Sequence, residues 1–130
     1  MRKKKLLIVE RDPIMIMDLE SGIEESVANL DIIFARSITD ALQMALLENN
    51  DMDSALPFDL AIIEILDLTE TSRSELATLF KFCKAAILTK AAPSDAEHED
   101  TGKITRIFVR PYRLSDIIDC AVDRLSTTAV

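Results

Sequence analysis

The sequence predicts an open, doubly wound α/β domain built on a parallel sheet of five strands, and three observations carry that prediction. Short apolar runs rich in β-branched residues recur at Leu6 to Val9, Ile32 to Phe34, Leu60 to Ile63, Ala85 to Leu88 and Ile104 to Val109. Runs that are apolar on both faces suit strands covered by helices on both sides. Segments with helical apolar spacing alternate with these runs, and right-handed crossovers leave few other arrangements for such an alternation. The chain has 130 residues, enough for one compact core and too few for two, so residues 1–130 are read as a single domain with its core from about 4 to 125.

Each helix has its own signal. After the first strand, Ile16, Leu19, Ile23, Val27 and Leu30 repeat at spacings of three and four, which makes one helix face. Ser37 with Asp40 forms a capping-box-like start before Ala41, Leu42, Ala45 and Leu46, and Ser72 with Glu75 repeats the device before Leu76, Leu79 and Phe80. The segment from Ala91 to Gly102 is polar, acidic and interrupted by Pro93, so a short or mobile helix is expected there. The last helix carries Leu114, Ile117, Ile118, Ala121, Val122 and Leu125 on a single face.

Composition excludes several functions. Only Gly22 and Gly102 are glycines, which rules out glycine-rich phosphate loops and dinucleotide fingerprints. With His98 the only histidine, and set in an acidic segment, two-histidine metal sites are excluded. A Ser-His-Asp hydrolase would need a nucleophile on a glycine-flanked turn, and none is present. The 23 acidic and 15 basic residues leave a net charge of −8, which argues against nonspecific binding to nucleic acid. The run Arg2-Lys3-Lys4-Lys5 reads as a solvated tail, and the four apolar residues after it are too few for a signal peptide. No segment approaches the ~20 apolar residues of a membrane span. Cys83 and Cys120 lack metal or redox spacing and read as reduced thiols of a cytoplasmic protein.

In doubly wound sheets, sites form at the carboxyl ends of the strands. Those ends read Glu10-Arg11-Asp12-Pro13, Glu64, Thr89-Lys90 and Arg110-Pro111, while the strands themselves are almost wholly apolar. The fragments LLIVERDP from Leu6, DLAIIEI from Asp59, AILT from Ala86 and VRPY from Val109, in that order, make residues Lys4 to about Leu125 similar to the receiver domain of two-component response regulators. The resemblance implies a flavodoxin-like (βα)5 fold with strand order 2-1-3-4-5 and a role in phosphorelay signal transduction. In that family an acidic pair after strand one holds Mg²⁺, and an aspartate at the end of strand three accepts a phosphoryl group. A Thr or Ser ends strand four, and a Lys precedes a proline after strand five.

This chain departs from that pattern. Glu10 matches the first acid, but Arg11 stands in place of the second, with Asp12 beside it; Glu64 stands at the phosphoacceptor, Thr89 matches, and the lysine position is Arg110. The aromatic that couples strand five to the pocket falls at Ile107, with Phe108 one place later on the opposite face. Three carboxylates against two arginines give the pocket a charge of −1, where an acid at position 11 would give −3. A unit-charge pair at ~4 Å is worth roughly 4 kcal/mol at an effective dielectric of ~20, and a divalent ion doubles it, so Arg11 opposes Mg²⁺. Glutamate also carries its carboxylate about 1.5 Å further than aspartate. Phosphoryl transfer depends on positioning and a neutralising metal, so the expectation is a degenerate, phosphorylation-independent receiver with weak or absent Mg²⁺ binding and no catalytic residue. Glu64 is expected to pair with Arg11 or Arg110 in bidentate geometry.

By the same resemblance, signalling would run through the fourth helix, fifth strand and fifth helix, about Ser94 to Leu125, toward another signalling protein, an output domain or a second copy. The apolar stripe of the last helix is expected to be partly exposed there. Two alternatives remain open: a working phosphoacceptor using Glu64 or Asp67 with Mg²⁺, and a small-ligand binder of flavodoxin-like shape. The chain is either a stand-alone protein or the front of a longer regulator.

Overall fold

The computed structural model describes residues 3–48, 57–66, 70–91 and 102–126. Its elements are β1 (Lys4–Val9), α1 (Pro13–Glu24), β2 (Leu30–Ala35), α2 (Ile38–Glu48), β3 (Leu60–Ile65), α3 (Glu70–Phe80), β4 (Ala86–Lys90), β5 (Ile104–Val109) and α4 (Leu114–Ser126). The five strands form one parallel sheet in the order β2-β1-β3-β4-β5, as the sequence reading has it. The helix expected between the fourth and fifth strands, His98 and Asp67 lie outside the described residues.

Alternation along the strands divides the core into two layers. Leu6, Ile8, Leu60, Ile62, Ile87 and Phe108 face α1 and α4, against Leu19, Ile23, Ile117, Ala121 and Leu125. Leu7, Val9, Ala61, Ile63, Ile65 and Leu88 face α2 and α3, against Ala41, Ala45, Leu76 and Leu79. Every residue from Leu6 to Val9 is buried, which is why these runs show no polar face in sequence. At the opposite edge of the sheet two lysines tie helices down. Lys4 Nζ donates to the Leu125 carbonyl at the end of α4, and Lys103 Nζ donates to the Phe80 carbonyl at 2.6 Å, at the end of α3. Cations suit helix C-termini, where carbonyls lack partners.

Several boundaries differ from the sequence reading. The first helix ends at Glu24, and Val27 and Leu30 are not on it. Asn29 takes a left-handed φ of 55°, which its short polar side chain tolerates, and turns the chain so that Leu30 opens β2 opposite Lys4. Val27 and Leu30 still pack on the α1 layer, which explains why they kept the periodicity. The Ser37 cap is present, its Oγ accepting from Asp40 N at 3.1 Å. The second expected start differs: Glu70 and Thr71 are already helical, so Ser72 lies inside α3, and Glu75 reaches across to α2 to accept from Thr39 Oγ1 at 2.9 Å.

The stripe of the last helix packs on the core layer with one flank partly exposed. Ile117, Ala121 and Leu125 are buried, with Leu114, Ile118 and Val122 half-buried on the same layer. Both cysteines are free thiols. Burial pushes the Cys83 thiol up to about 12, slightly offset by the charge of Lys103, which makes it a core group and not a nucleophile.

Candidate functional site

Strand register builds the site. Val9 pairs with Ile63, so Glu10, one residue on, stands level with Glu64; Glu64 in turn pairs with Thr89 and Thr89 with Phe108. By alternation these four side chains share the α1/α4 side of the sheet, forming one row across four strands at its carboxyl edge. Glu64 and Thr89 are not strand ends, since Ile65 and Lys90 continue the ladder and Ile65 is buried against α3. Lys90, 8 % exposed, is paired with Ile65 and Val109 and therefore sits on the opposite side of the sheet from Glu64.

The acidic positions are committed to local structure. Glu10 is 3 % exposed, and its Oε2 accepts from the backbone N–H groups of Arg11 at 2.8 Å and Asp12 at 3.2 Å, holding the turn that leaves β1. Asp12 is the N-cap of α1, its Oδ1 accepting from Ile14 N at 2.9 Å, with Pro13 at the first helical position. Thr89 is buried beside them, at 2 % exposed.

The basic positions divide. Arg11 Nε stands 4.0 Å from Glu64 Oε1, with the arginine largely exposed and the glutamate largely covered. This is one long ion pair and not the bidentate clamp expected from sequence. Arg110 lies by Tyr112, with its guanidinium 6.0 Å from the ring centre. The Arg110 charge is favoured first by a hydrogen bond and charge interaction with Tyr112, and less by Glu64 and Glu10.

The result is a carboxyl pair with little cationic compensation. Burial, the charge of Glu10 and a hydrogen bond with the Glu10 side chain push the Glu64 carboxyl above its ordinary range, against smaller opposing effects of Arg11 and Arg110. A carboxyl raised by folding contributes stability that is complete below its unfolded value and is lost as pH rises through the folded one. Glu64→Gln is therefore expected to match the wild-type melting temperature near ~pH 3 and exceed it at ~pH 7. The expected gain is a few degrees, corresponding to less than about 1 kcal/mol because the site is partly solvated. Thermal melts across that range check it, and a variant less stable at neutral pH would contradict it.

The sequence reading sets Phe108 on the face opposite the pocket; the register instead pairs it with Thr89, in the row of Glu10 and Glu64, because the β4–β5 pairing slips by one residue between Ala86 and Ile87, and its aromatic neighbours escape that reading. Phe108, 7 % exposed, packs edge-on against Tyr112 at 6.4 Å and lies under the Arg106 guanidinium at 4.9 Å, while Ile107 points to the other side and is 42 % exposed. The Tyr112 hydroxyl donates to Met15 Sδ at 3.7 Å, tying the loop after β5 to α1. Between them opens a cleft of about 530 Å³, with a floor of Met15, Pro111, Tyr112 and Leu114. Pro111 beside Met15 in space is invisible to any pattern along the chain. Among the described residues no group of three metal-ligating side chains could hold an ion, and no helix is long and apolar enough to cross a membrane.

No protein-family model and no curated protein matches the sequence. Solved structures do match over nearly the full length. A response regulator from Thermotoga maritima superposes with a TM-score of 0.65 at 12 % identity, covering 96 % of this chain and 99 % of that one. The signal receiver domain of an HD domain-containing protein from Pseudomonas fluorescens Pf-5 gives 0.65 at 19 % identity, with 95 % of each chain covered. The pilus assembly protein CpaE from Caulobacter crescentus gives 0.63 at 11 % identity, covering 94 % and 93 %. The row of Glu10, Glu64 and Thr89 at the carboxyl edge of a 2-1-3-4-5 sheet thus belongs to a chain with the fold of response regulator receiver domains.

Proposed function

We propose that this chain is a receiver-like signal-transduction domain of the two-component type that works without phosphorylation, through protein contact. The observation that carries the reading is Arg11, whose guanidinium reaches toward Glu64 from the position where the related pocket needs a second metal-binding acid. Three further features support it. Glu10 spends an oxygen on the turn after β1, Asp12 spends one on capping α1, and Arg110 is engaged with Tyr112. Mg²⁺ demands near-octahedral oxygen ligation, and these commitments leave few carboxylate oxygens to supply it. No phosphoryl transfer is assigned to the domain.

The contact surface in this reading is centred on β5 and α4, reached by another signalling protein, an output domain or a second copy. β5 is an edge strand whose Thr105, Arg106 and Ile107 are exposed, and α4 presents Asp116, Asp119 and Asp123 outward. The part of that surface before Gly102 lies outside the described residues. Incubation with acetyl phosphate and Mg²⁺, followed by intact mass analysis, tests the reading. The expected result is unmodified protein; a stable acyl phosphate, on Glu64 or on Asp67, would overturn it.

A further inference from the structure

The two edges of the sheet are built differently. β5 carries the devices that keep an edge strand from pairing: Thr105 and Arg106 are exposed on it, its pairing with β4 slips between Ala86 and Ile87, and Pro111 follows it. β2 carries almost none. Its residues Leu30 to Ala35 run beside β1 in unbroken register, without a bulge or a proline, and Asp31 is their only charge. Half-buried hydrophobics lie along it on both layers, Leu30, Ile32 and Phe34 on the α1 side and Ile33 with Met44 on the α2 side. The backbone shows which groups are spare. Asn29 O accepts from Lys4 N and Ala35 O from Glu10 N, both at 3.1 Å, so by alternation the odd-numbered residues of β2 bond to β1. The N–H and C=O groups of Leu30, Ile32 and Phe34 therefore point away from the sheet, and among the described residues no element pairs with them.

We propose that β2 pairs antiparallel with β2 of a second copy of this chain, across a two-fold axis that passes through Ile32 and stands normal to the sheet. This register meets every spare group. Ile32 exchanges two hydrogen bonds with Ile32 of the other copy, and at either end Leu30 of one copy exchanges two with Phe34 of the other. A two-fold moved one residue on, to Ile33, leaves the Leu30 groups without a strand partner. The side chains suit the same register. On the α1 side Leu30 lies against Phe34 and Ile32 against Ile32, aromatic–aliphatic and β-branched pairs that stabilise sheets. On the α2 side Asp31 lies against Ile33, so the two Asp31 carboxylates are not directly opposite. The segment is self-complementary, as a closed two-fold contact requires, and this selects a second copy over an unrelated strand. Because the axis is normal to the sheet, α1 of both copies lies on one side and α2 on the other. The two sheets join into one, with the β5–α4 surfaces at its far ends. The contact is separate from those surfaces and from the pocket, and does not depend on whether Glu64 is phosphorylated. Each copy carries a net charge of −8, so charge opposes the association and salt strengthens it.

Sedimentation and amide hydrogen exchange on the full chain test this. A monomer at about 1 µM and a dimer at about 1 mM are expected, since pairing through one short strand is weak. At the higher concentration the amides of Leu30, Ile32 and Phe34 should exchange at least about tenfold more slowly than at the lower, while those of Asp31, Ile33 and Ala35, bonded to β1, are protected at both. Raising salt to about 0.5 M should tighten the dimer, the opposite of what a contact built on cations would show. Ile32→Pro removes an N–H that β1 does not use, on an edge strand where proline is tolerated. It should weaken dimerisation at least about tenfold, because the two-fold counts the change twice. A thermal melt checks that the variant folds; where it does not, the alternating exchange pattern of the wild-type protein decides. A chain that stays monomeric at about 1 mM, or a dimer in which Leu30, Ile32 and Phe34 exchange as in the monomer, would overturn the proposal.

Discussion

Arg11→Asp combined with Glu64→Asp is expected to bind Mg²⁺ in the pocket far more tightly than the wild-type protein does. The first change replaces the cation 4.0 Å from Glu64 with a carboxylate, and the second withdraws the position-64 carboxylate by about one bond length. Each unit of charge near a divalent ion is nominally worth roughly 8 kcal/mol at ~4 Å and an effective dielectric of ~20. Arg11 is largely exposed, so water removes most of that figure. A gain of at least about a hundredfold in Mg²⁺ affinity, corresponding to about 2.8 kcal/mol, is the conservative expectation. Isothermal titration measures it, and the same variant should take up phosphate from acetyl phosphate at position 64. Either single variant should fall between the double variant and wild type, since one removes the competing cation and the other corrects reach. A double variant with the Mg²⁺ affinity of the parent would mean that Arg11 and Glu64 do not set that affinity.

Phe58→Ala is expected to produce the largest loss of stability. Phe58 is wholly buried in the layer between the sheet and α3, and its backbone bridges to the loop before β4, donating to Phe82 O at 3.1 Å and accepting from Lys84 N at 2.9 Å. Removing a buried phenyl ring costs about 3–5 kcal/mol through lost burial and the cavity left behind. Against a typical total of about 5–15 kcal/mol, that is a large fraction. The melting temperature should fall by on the order of 15 °C for a domain of this size. Urea denaturation should show the midpoint falling with an unchanged slope, because the native surface is otherwise preserved. A loss under about 1 kcal/mol would show that the ring is not the packing centre described.

What the sequence disclosed follows from how far each interaction reaches along the chain. The inner strands β1, β3 and β4 were legible because burial on both faces leaves uninterrupted apolar runs such as Leu6 to Val9, whereas the edge strands β2 and β5 are more exposed and show shorter apolar stretches. The stripe of the last helix was legible too, though as a pattern that could not say whether Ile118 and Val122 meet solvent or core. The first helix was overextended because Val27 and Leu30 return to the same layer after the turn at Asn29, keeping a helical rhythm without a helix.

At the site, the identity of each strand-end residue could be read, but its side of the sheet could not. Lys90 follows Thr89 at a strand end in sequence, and the register sends it to the far face from Glu64. The pairing of Arg110 with Tyr112 depends on how the loop after β5 folds back, and the Tyr112 to Met15 contact that ties that loop down spans 97 residues. Single residues gave the loss of metal-binding character at position 11; the geometry that replaces it depends on contacts between strands and loops distant in sequence.

In the proposed reading, the carboxyl edge of this sheet responds neither to Mg²⁺ nor to phosphate. Titrating isotopically labelled wild-type protein with Mg²⁺, without and then with beryllofluoride as a phosphoryl mimic, tests it most directly. The account predicts that the amide signals of Glu10, Arg11, Glu64, Thr89 and Arg110 stay in place under both conditions. Saturable shifts at these residues, strengthened by beryllofluoride and spreading to β5 and α4, would contradict it.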